Sequence, residues 1–254
     1  MGILNVTPDS FSDGGKFLDP TAAVAHARRM AEEGADIIDI GAESSRPYGD
    51  AMPVAAEEER RRLDKVLPEV ARLGPPVSID TMKARVADWA LSAGASIAND
   101  VWGLQRDPDM ARVVAAHRVP VIVMHNREKP DAVDIMADIA AFFARSLDIA
   151  LRAGIARDCI VLDPGIGFGK TPEQSMTVIA RLAELKTFGL PLLVGASRKR
   201  FIDRVSPAPP DRRLGGSIAS HVIAALHGAA IIRTHDVAET AQALKVADAI
   251  RGMR

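Results

Sequence analysis

Apolar and polar positions along this chain follow one rule many times over. A short apolar run ends in a polar residue, a polar or glycine-rich stretch follows, and then comes a segment with apolar residues at helical spacing. Gly2-Ile3-Leu4-Asn5-Val6 reads as a strand whose polar end is Asn5. Asp19-Pro20 opens a helix that runs to Gly34, and Ala35 to Ile40 is a strand ending near Asp39. A long charged helix is expected from about Ala55 to Leu73, then the strand Val77 to Asp80 and a helix from Ala84 to Ala93. Ser96 to Asp100 is the fourth strand, with Asn99 near its end, and a helix from Pro108 to His117 follows. Pro120 to Met124 is the fifth strand, with His125 just beyond it, before a long helix from about Ile135 to Ala153. Ile160-Val161-Leu162 is the sixth strand, closed by Asp163, and Leu192-Leu193-Val194 is the seventh. A helix from Leu214 to His227, the strand Ala230 to Arg233 and a helix from Val237 to Met253 complete the chain.

These are eight β-α units in 254 residues, about 32 residues each. Three of the helix-to-strand junctions share one logic: Glu33 to Asp39, Ala93 to Asn99 and His227 to Arg233. Each stops a helix at glycine, adds a small residue and runs into an apolar strand. Short connections with right-handed crossovers make an all-parallel sheet. Eight such units favour a closed (β/α)8 TIM barrel over an open doubly wound sheet. No composition shift or linker divides the chain, so residues 1–254 are expected to form one domain.

The glycine loop after Asp163 invites a phosphate-binding interpretation. The spacing in Gly165-Ile166-Gly167-Phe168-Gly169-Lys170-Thr171 fits neither G-x-G-x-x-G nor G-x-x-x-x-G-K-[ST]. Thr171-Pro172 instead marks the start of the next helix. A formal net charge of −1 offers no electrostatic argument for nucleic acid or for a membrane surface. No apolar run approaches the ~20 residues that span a bilayer, and no secretory leader is visible. The single cysteine, Cys159, reads as a buried thiol in the strand before Asp163. A cytoplasmic protein is the expectation.

In a barrel the strand ends form one ring on the carboxyl-end face, where active sites sit. That ring reads Asn5, Asp39, Asp80, Asn99, His125, Asp163, Ser197 to Arg200, and Arg233 to His235. A single member could be a helix cap or a loop residue; eight polar ends in one ring are not explained by capping alone. Lys199, Arg233 and His235 follow the last two strands, where barrels commonly bind phosphate. A carboxylate and an amide on the barrel floor can pair with a flat donor-acceptor edge such as an aminopyrimidinone. The expected ligand is therefore a heterocycle carrying a phosphate or diphosphate. Asn5, Asp9 and Asp13 offer oxygens that could help to hold Mg²⁺ on a diphosphate. No His/Cys cluster has zinc spacing.

Several stretches, in this order, resemble the bacterial dihydropteroate synthase family: Gly2 to Gly15 (GILNVTPDSFSDGG), Ser78 to Thr81 (SIDT), Asn99-Asp100, Asp163 to Lys170 (DPGIGFGK), Ser197 to Lys199 (SRK) and Arg233 to Asp236 (RTHD). The resemblance covers essentially the whole chain. It implies a (β/α)8 barrel, a homodimer and a sulfonamide target. The implied reaction is a Mg²⁺-assisted transfer joining 6-hydroxymethyl-7,8-dihydropterin diphosphate to 4-aminobenzoate with release of diphosphate. Carried over by motif, Asp80, Asn99, Asp163 and Lys199 would hold the pterin. Asn5, Ser45, Arg46, Arg233, Thr234 and His235 would meet the diphosphate, with Asn5 also touching the metal. Phe11 and Pro47 would wall the aminobenzoate pocket. Asp80, Lys199, Arg233 and His235 would carry the chemistry. Arg200 stands where a serine is common in the family, so it is expected either to take over the aminobenzoate carboxylate or to lie solvated at a helix start. The loop Ser45-Arg46-Pro47-Tyr48-Gly49-Asp50 is longer than the usual STRPG form, and Asn126 to Pro130 is shorter than usual. Two competing readings stay open. One is a barrel presenting methyltetrahydrofolate, which has no need of Lys199, Arg233 and His235 as a diphosphate grip. The other is a degenerate relative that binds pterin without condensing it, favoured only by the altered second loop.

Overall fold

The computed structural model describes residues 1–7, 19–43 and 54–253. Eight short strands form one sheet in chain order: β1 (Gly2–Asn5), β2 (Ile38–Gly41), β3 (Val77–Asp80), β4 (Ile97–Asp100), β5 (Val121–Met124), β6 (Ile160–Asp163), β7 (Leu192–Val194) and β8 (Ala229–Ile232). Every neighbouring pair is parallel. A parallel bridge between Gly2 and Thr234 brings the last strand back to the first, with Ile3 N donating to Thr234 O and Thr234 N to Met1 O. The sheet is thus a closed barrel, as the eight-unit count predicts.

The helices are α1 (Pro20–Glu32), α2 (Ala56–Leu63), α3 (Leu67–Val70), α4 (Ala84–Ser92), α5 (Met110–His117), α6 (Ile135–Arg152), α7 (Pro172–Ala180), α8 (Arg200–Val205), α9 (Leu214–Leu226) and α10 (Val237–Arg251). Their starts are written locally. Asp19 caps α1 by accepting from Thr21 N, and Asp134 caps α6 by accepting from Met136 N and Ala137 N. Thr171 and Gln174 close a reciprocal capping box on α7, with Pro172 at its first turn. The helix expected over 55–73 is broken into α2 and α3. Pro68 lacks the N–H that would bond residue 64, and its ring crowds that carbonyl, so the chain re-enters helix only at Leu67. The second strand starts at Ile38 rather than Ala35. Gly34 turns with φ +98° and Ala35 N still bonds back to Met30 O, which delays the extended backbone. Cys159 is half-buried in a 3₁₀ turn, Arg157–Cys159, ahead of β6 and not within it.

Strand alternation sorts the side chains into two compartments. Leu4, Ile38, Ile40, Ile79, Val121, Val123, Ile160, Leu162 and Val194 pack outward against Met30, Leu63, Ala87, Phe143 and Val178 of the helices. Ile3, Ile122 and Leu193 are buried but lie outside that cluster, on the inward alternation, and fill the lower barrel. Above them the inward positions turn polar: Asp39, Asp80, Asn99 and Asp163. This arrangement places a dry, charged floor at the carboxyl ends of the strands.

Candidate active site

A cleft of about 450 Å³ opens beside Met1, Ala35 to Ile37, Ala229 and α10. It lies at the amino ends of β1, β2 and β8, so it is not where barrel chemistry is expected. The carboxyl ends carry the polar cluster, in three parts.

The first part joins β2, β3, β4 and the end of β8. Arg233 Nε donates to Asp39 Oδ2 at 2.6 Å, and an Nη2 of the same guanidinium donates to Asp80 Oδ2 at 2.9 Å. Asn99 Nδ2 donates to both oxygens of Asp39, at 3.3 and 3.2 Å, so its carbonyl oxygen faces the other way as an acceptor. Burial pushes the Asp80 carboxyl up to about 7, opposed by Arg233 and assisted by the neighbouring charge of Asp39. The two acids hold the Arg233 guanidinium above its ordinary value despite its burial. Arg233, expected to meet the diphosphate, is thus engaged by acids on its inner side. Two buried carboxylates share its charge, and its guanidinium holds the Asp80 carboxyl in place.

The second part is the loop after β6. Asp163 Oδ1 accepts from Gly165 N at 2.7 Å, which pins the carboxyl and leaves its other oxygen for a ligand. Burial raises this carboxyl, and the Gly165 bond and Lys199 oppose the rise. Lys199 Nζ donates to Ile166 O at 2.8 Å and stands 4.0 Å from the centre of the Phe168 ring. Gly167 has φ +78°, and a Cβ there would meet Lys199 Cδ at 3.2 Å, so glycine is what lets the lysine lie along the loop. Phe168 belongs to the site by this contact, although the sequence reading gave it no role. His125, placed in the ring of strand ends, is almost fully buried and turned away from the mouth: its Nε2 faces Asp138 at 3.0 Å and its Nδ1 faces Lys170 at 2.7 Å.

The third part lies after β7 and β8. Ser197 Oγ sits 2.9 Å from His235 Nδ1 and accepts from His235 N at 3.2 Å, which fixes the imidazole. Arg198, with φ +56°, pairs with Asp236 through two hydrogen bonds and ties the two loops together. Thr234 is buried, and its hydroxyl meets Thr240 Oγ1 and accepts from Asp236 N, so it caps the β8–α10 junction. Arg200 is exposed at the first position of α8. Asn5 ends β1, half-buried, opposite Gly41. Phe11, Ser45, Arg46 and Pro47, with Asp9 and Asp13, lie outside the described residues. No group of three or more His, Cys, Asp or Glu suited to a metal occurs among the described residues.

A family model for pterin binding enzymes matches residues 1–235. The chain belongs to this family. Among characterised relatives, the dihydropteroate synthase of Bacillus subtilis is 46% identical over 251 residues, covering 98% of this chain and 87% of that protein. The Escherichia coli dihydropteroate synthase is 43% identical, covering 98% and 90%. Solved structures agree. A Clostridium difficile dihydropteroate synthase determined in the presence of pteroic acid superposes with a TM-score of 0.93 at 47% identity, over 98% of this chain and 95% of that one. A Xanthomonas albilineans dihydropteroate synthase with 4-aminobenzoic acid gives 0.93 at 44% identity, over 99% and 92%. Asp80, Asn99, Asp163 and Lys199 all fall within the matched residues, at the carboxyl ends of the strands. No helix among the described residues is long and apolar enough to cross a membrane.

Proposed function

We propose that this protein is a dihydropteroate synthase, a transferase that joins 6-hydroxymethyl-7,8-dihydropterin diphosphate to 4-aminobenzoate in folate biosynthesis. The observation that carries the reading is the floor itself, at the carboxyl ends of β4, β6 and β7: Asn99 spends its amide nitrogen on Asp39 and keeps its carbonyl oxygen as an acceptor, Asp163 is pinned through one oxygen by Gly165, and Lys199 stands beside the Phe168 ring. A pterin ring offers the donors and acceptors that match them. A structure of a Xanthomonas albilineans relative with 7,8-dihydropteroate, 42% identical, supports the same substrate class.

In the reaction the methylene–oxygen bond to diphosphate breaks and a methylene–nitrogen bond to the arylamine forms; the amine then loses a proton. Charge separates as diphosphate leaves, and fixed cationic groups stabilise such a departure best in a dry site. His235, held by Ser197, faces the leaving group, and Lys199 lies near it on the pterin side. Asp80, aligned by Arg233, stands where positive charge grows on the pterin. Thr234 holds the β8–α10 junction. Arg200, exposed at the start of α8, would meet the aminobenzoate carboxylate, and Phe11, Ser45, Arg46 and Pro47 keep the roles that the resemblance implies. The donor set suits a Mg²⁺ that arrives on its substrate: Asn5 can give one amide oxygen, and such an ion takes its other ligands from phosphate and water. When bound, the ion would neutralise charge on the departing diphosphate.

We also infer a homodimer. Helix α9 (LGGSIASHVIAAL) contains no Asp, Glu, Lys or Arg, and its one histidine, His221, is buried, yet Ala219, Ile223 and Leu226 are exposed on its outer side.

Purified protein incubated with dihydropterin diphosphate, 4-aminobenzoate and Mg²⁺ should release diphosphate and form dihydropteroate, read by chromatography and mass. Pterin binding with no dihydropteroate formed would replace this reading with a pterin-binding relative that does not condense.

A further inference from the structure

Lys170 is 2% exposed, below the residues assigned to the substrate floor. Its Nζ reaches Gly165 O at 2.9 Å, Phe168 O at 3.1 Å and His125 Nδ1 at 2.7 Å. An ammonium donates through its N–H groups, and each of these three atoms can accept. Accepting from Lys170 takes a bare Nδ1 on His125, which puts the imidazole proton on Nε2, pointing at Asp138 3.0 Å away. The imidazole is held neutral, its pKa pushed down to about 2 by burial and then by Lys170. Burial draws Lys170 itself down to about 7, and Asp163 is the first influence opposing that pull.

The loop that Lys170 grips has little structure of its own. Gly165, Gly167 and Gly169 all have positive φ, at +67°, +78° and +54°. Such a run cannot build a repeating hydrogen-bond ladder, so its carbonyls need partners from outside. Lys170 supplies them at Gly165 and Phe168. Those two residues bracket Ile166, whose carbonyl holds Lys199, and they include Phe168, whose ring lies beside the same ammonium. Gly165 also gives the N–H that pins Asp163.

We propose that Lys170, oriented by His125 and Asp138, is a positioning residue for the pterin: it folds the 163–170 loop so that Asp163 and Lys199 face the heterocycle. The identity of the ligand rests on the dihydropteroate synthase reading; the loop geometry does not.

Lys170→Met keeps the length and apolar bulk of the stem and removes the donors. Asp138→Asn alters the far end of the relay, at a side chain 32% exposed. Both are compared with the parent by thermal melting, by calorimetry of pteroic acid, and by steady-state kinetics on both substrates. Misplacing a binding group by a fraction of an ångström to one ångström costs from about tenfold to a hundredfold. Lys170→Met should melt cooperatively, bind pteroic acid about tenfold more weakly and raise KM for the pterin substrate, with KM for 4-aminobenzoate within about twofold. Asp138→Asn should move pteroic acid affinity the same way by about threefold. Parent-like pteroic acid affinity in Lys170→Met overturns the proposal, and so does an equal rise in both KM values, which would mark general loosening. If Lys170→Met does not fold, parent-like affinity in Asp138→Asn overturns it. A parent that binds no pteroic acid refutes the functional reading and this proposal together; a parent that binds it as tightly as both variants refutes the proposal alone.

Discussion

At the scale of single residues, the sequence shows which strand ends are polar but not which of them share a charge. Asp39 and Arg233 are 194 positions apart, and only closure of the barrel makes them partners. The arginine therefore reads as an anion grip in sequence and as a bridge between two acids in the structure. Across β3, Asn99 spends its amide nitrogen on the same Asp39. A direct consequence can be measured. Arg233→Met leaves Asp39 and Asp80 buried without their cation, a change that costs about 3–5 kcal/mol when one partner of a buried pair is lost. The pH dependence has a fixed sign. Asp80 already stands at about 7 in the folded protein, and losing Arg233 raises it further. A carboxyl with a raised folded value binds more protons in the folded state, so stability falls as pH rises. Urea midpoints of Arg233→Met should lie well below the parent at pH 7 and recover part of the gap at pH 5.5. A gap unchanged with pH would show that Asp80 is not the group that responds.

At the scale of elements, capping boxes and proline positions are local, so the starts of α1, α6 and α7 are legible from sequence. The split of the 55–73 helix was equally visible in Pro68, because proline forbids the hydrogen bond to residue 64 whatever surrounds it. The glycine loop is different. Its alternating glycines look like a phosphate cradle, but their reason is the neighbouring chain. A Cβ on Gly165 would lie 1.9 Å from the His125 carbonyl oxygen, and one on Gly169 would lie 2.4 Å from Arg127. Gly154 has a similar left-handed φ of +87° with nothing within 4 Å, so it serves as a control for backbone strain alone. Gly154→Ala should cost about 1–2 kcal/mol, the ordinary penalty of a Cβ in that region. Gly165→Ala should cost more by at least about 1 kcal/mol, since backbone must also move. Melting temperatures of the two variants decide this; equal losses would mean that the loop's packing on residues 125–127 is soft.

At the scale of the whole molecule, the repeat count and the strand ends are enough to predict a closed barrel with its chemistry at one face. What the count cannot reach is what lies outside the barrel wall. Helix α9 shows the difference. Its sequence reads simply as an apolar helix, and an apolar helix in a barrel is expected to turn its hydrophobic stripe inward. Instead Ser217, Ser220, His221 and Ala224 face the barrel, while Ile223 and Leu226 remain 44% and 56% exposed, and Val205 at the end of α8 is exposed as well. Exposed apolar side chains gathered on one helix mark an association surface more often than an accident of composition. A two-fold dimer buries the same face on both copies, so one substitution acts twice on the interface. Ile223→Glu places a carboxylate on that face at a position whose exposure spares the core. Sedimentation velocity at micromolar concentration should give the parent at twice the monomer mass and Ile223→Glu at the monomer mass, with melting of the variant still cooperative. A parent that sediments as a monomer would refute the dimer, and a variant that remains dimeric would move the interface to another face of the barrel.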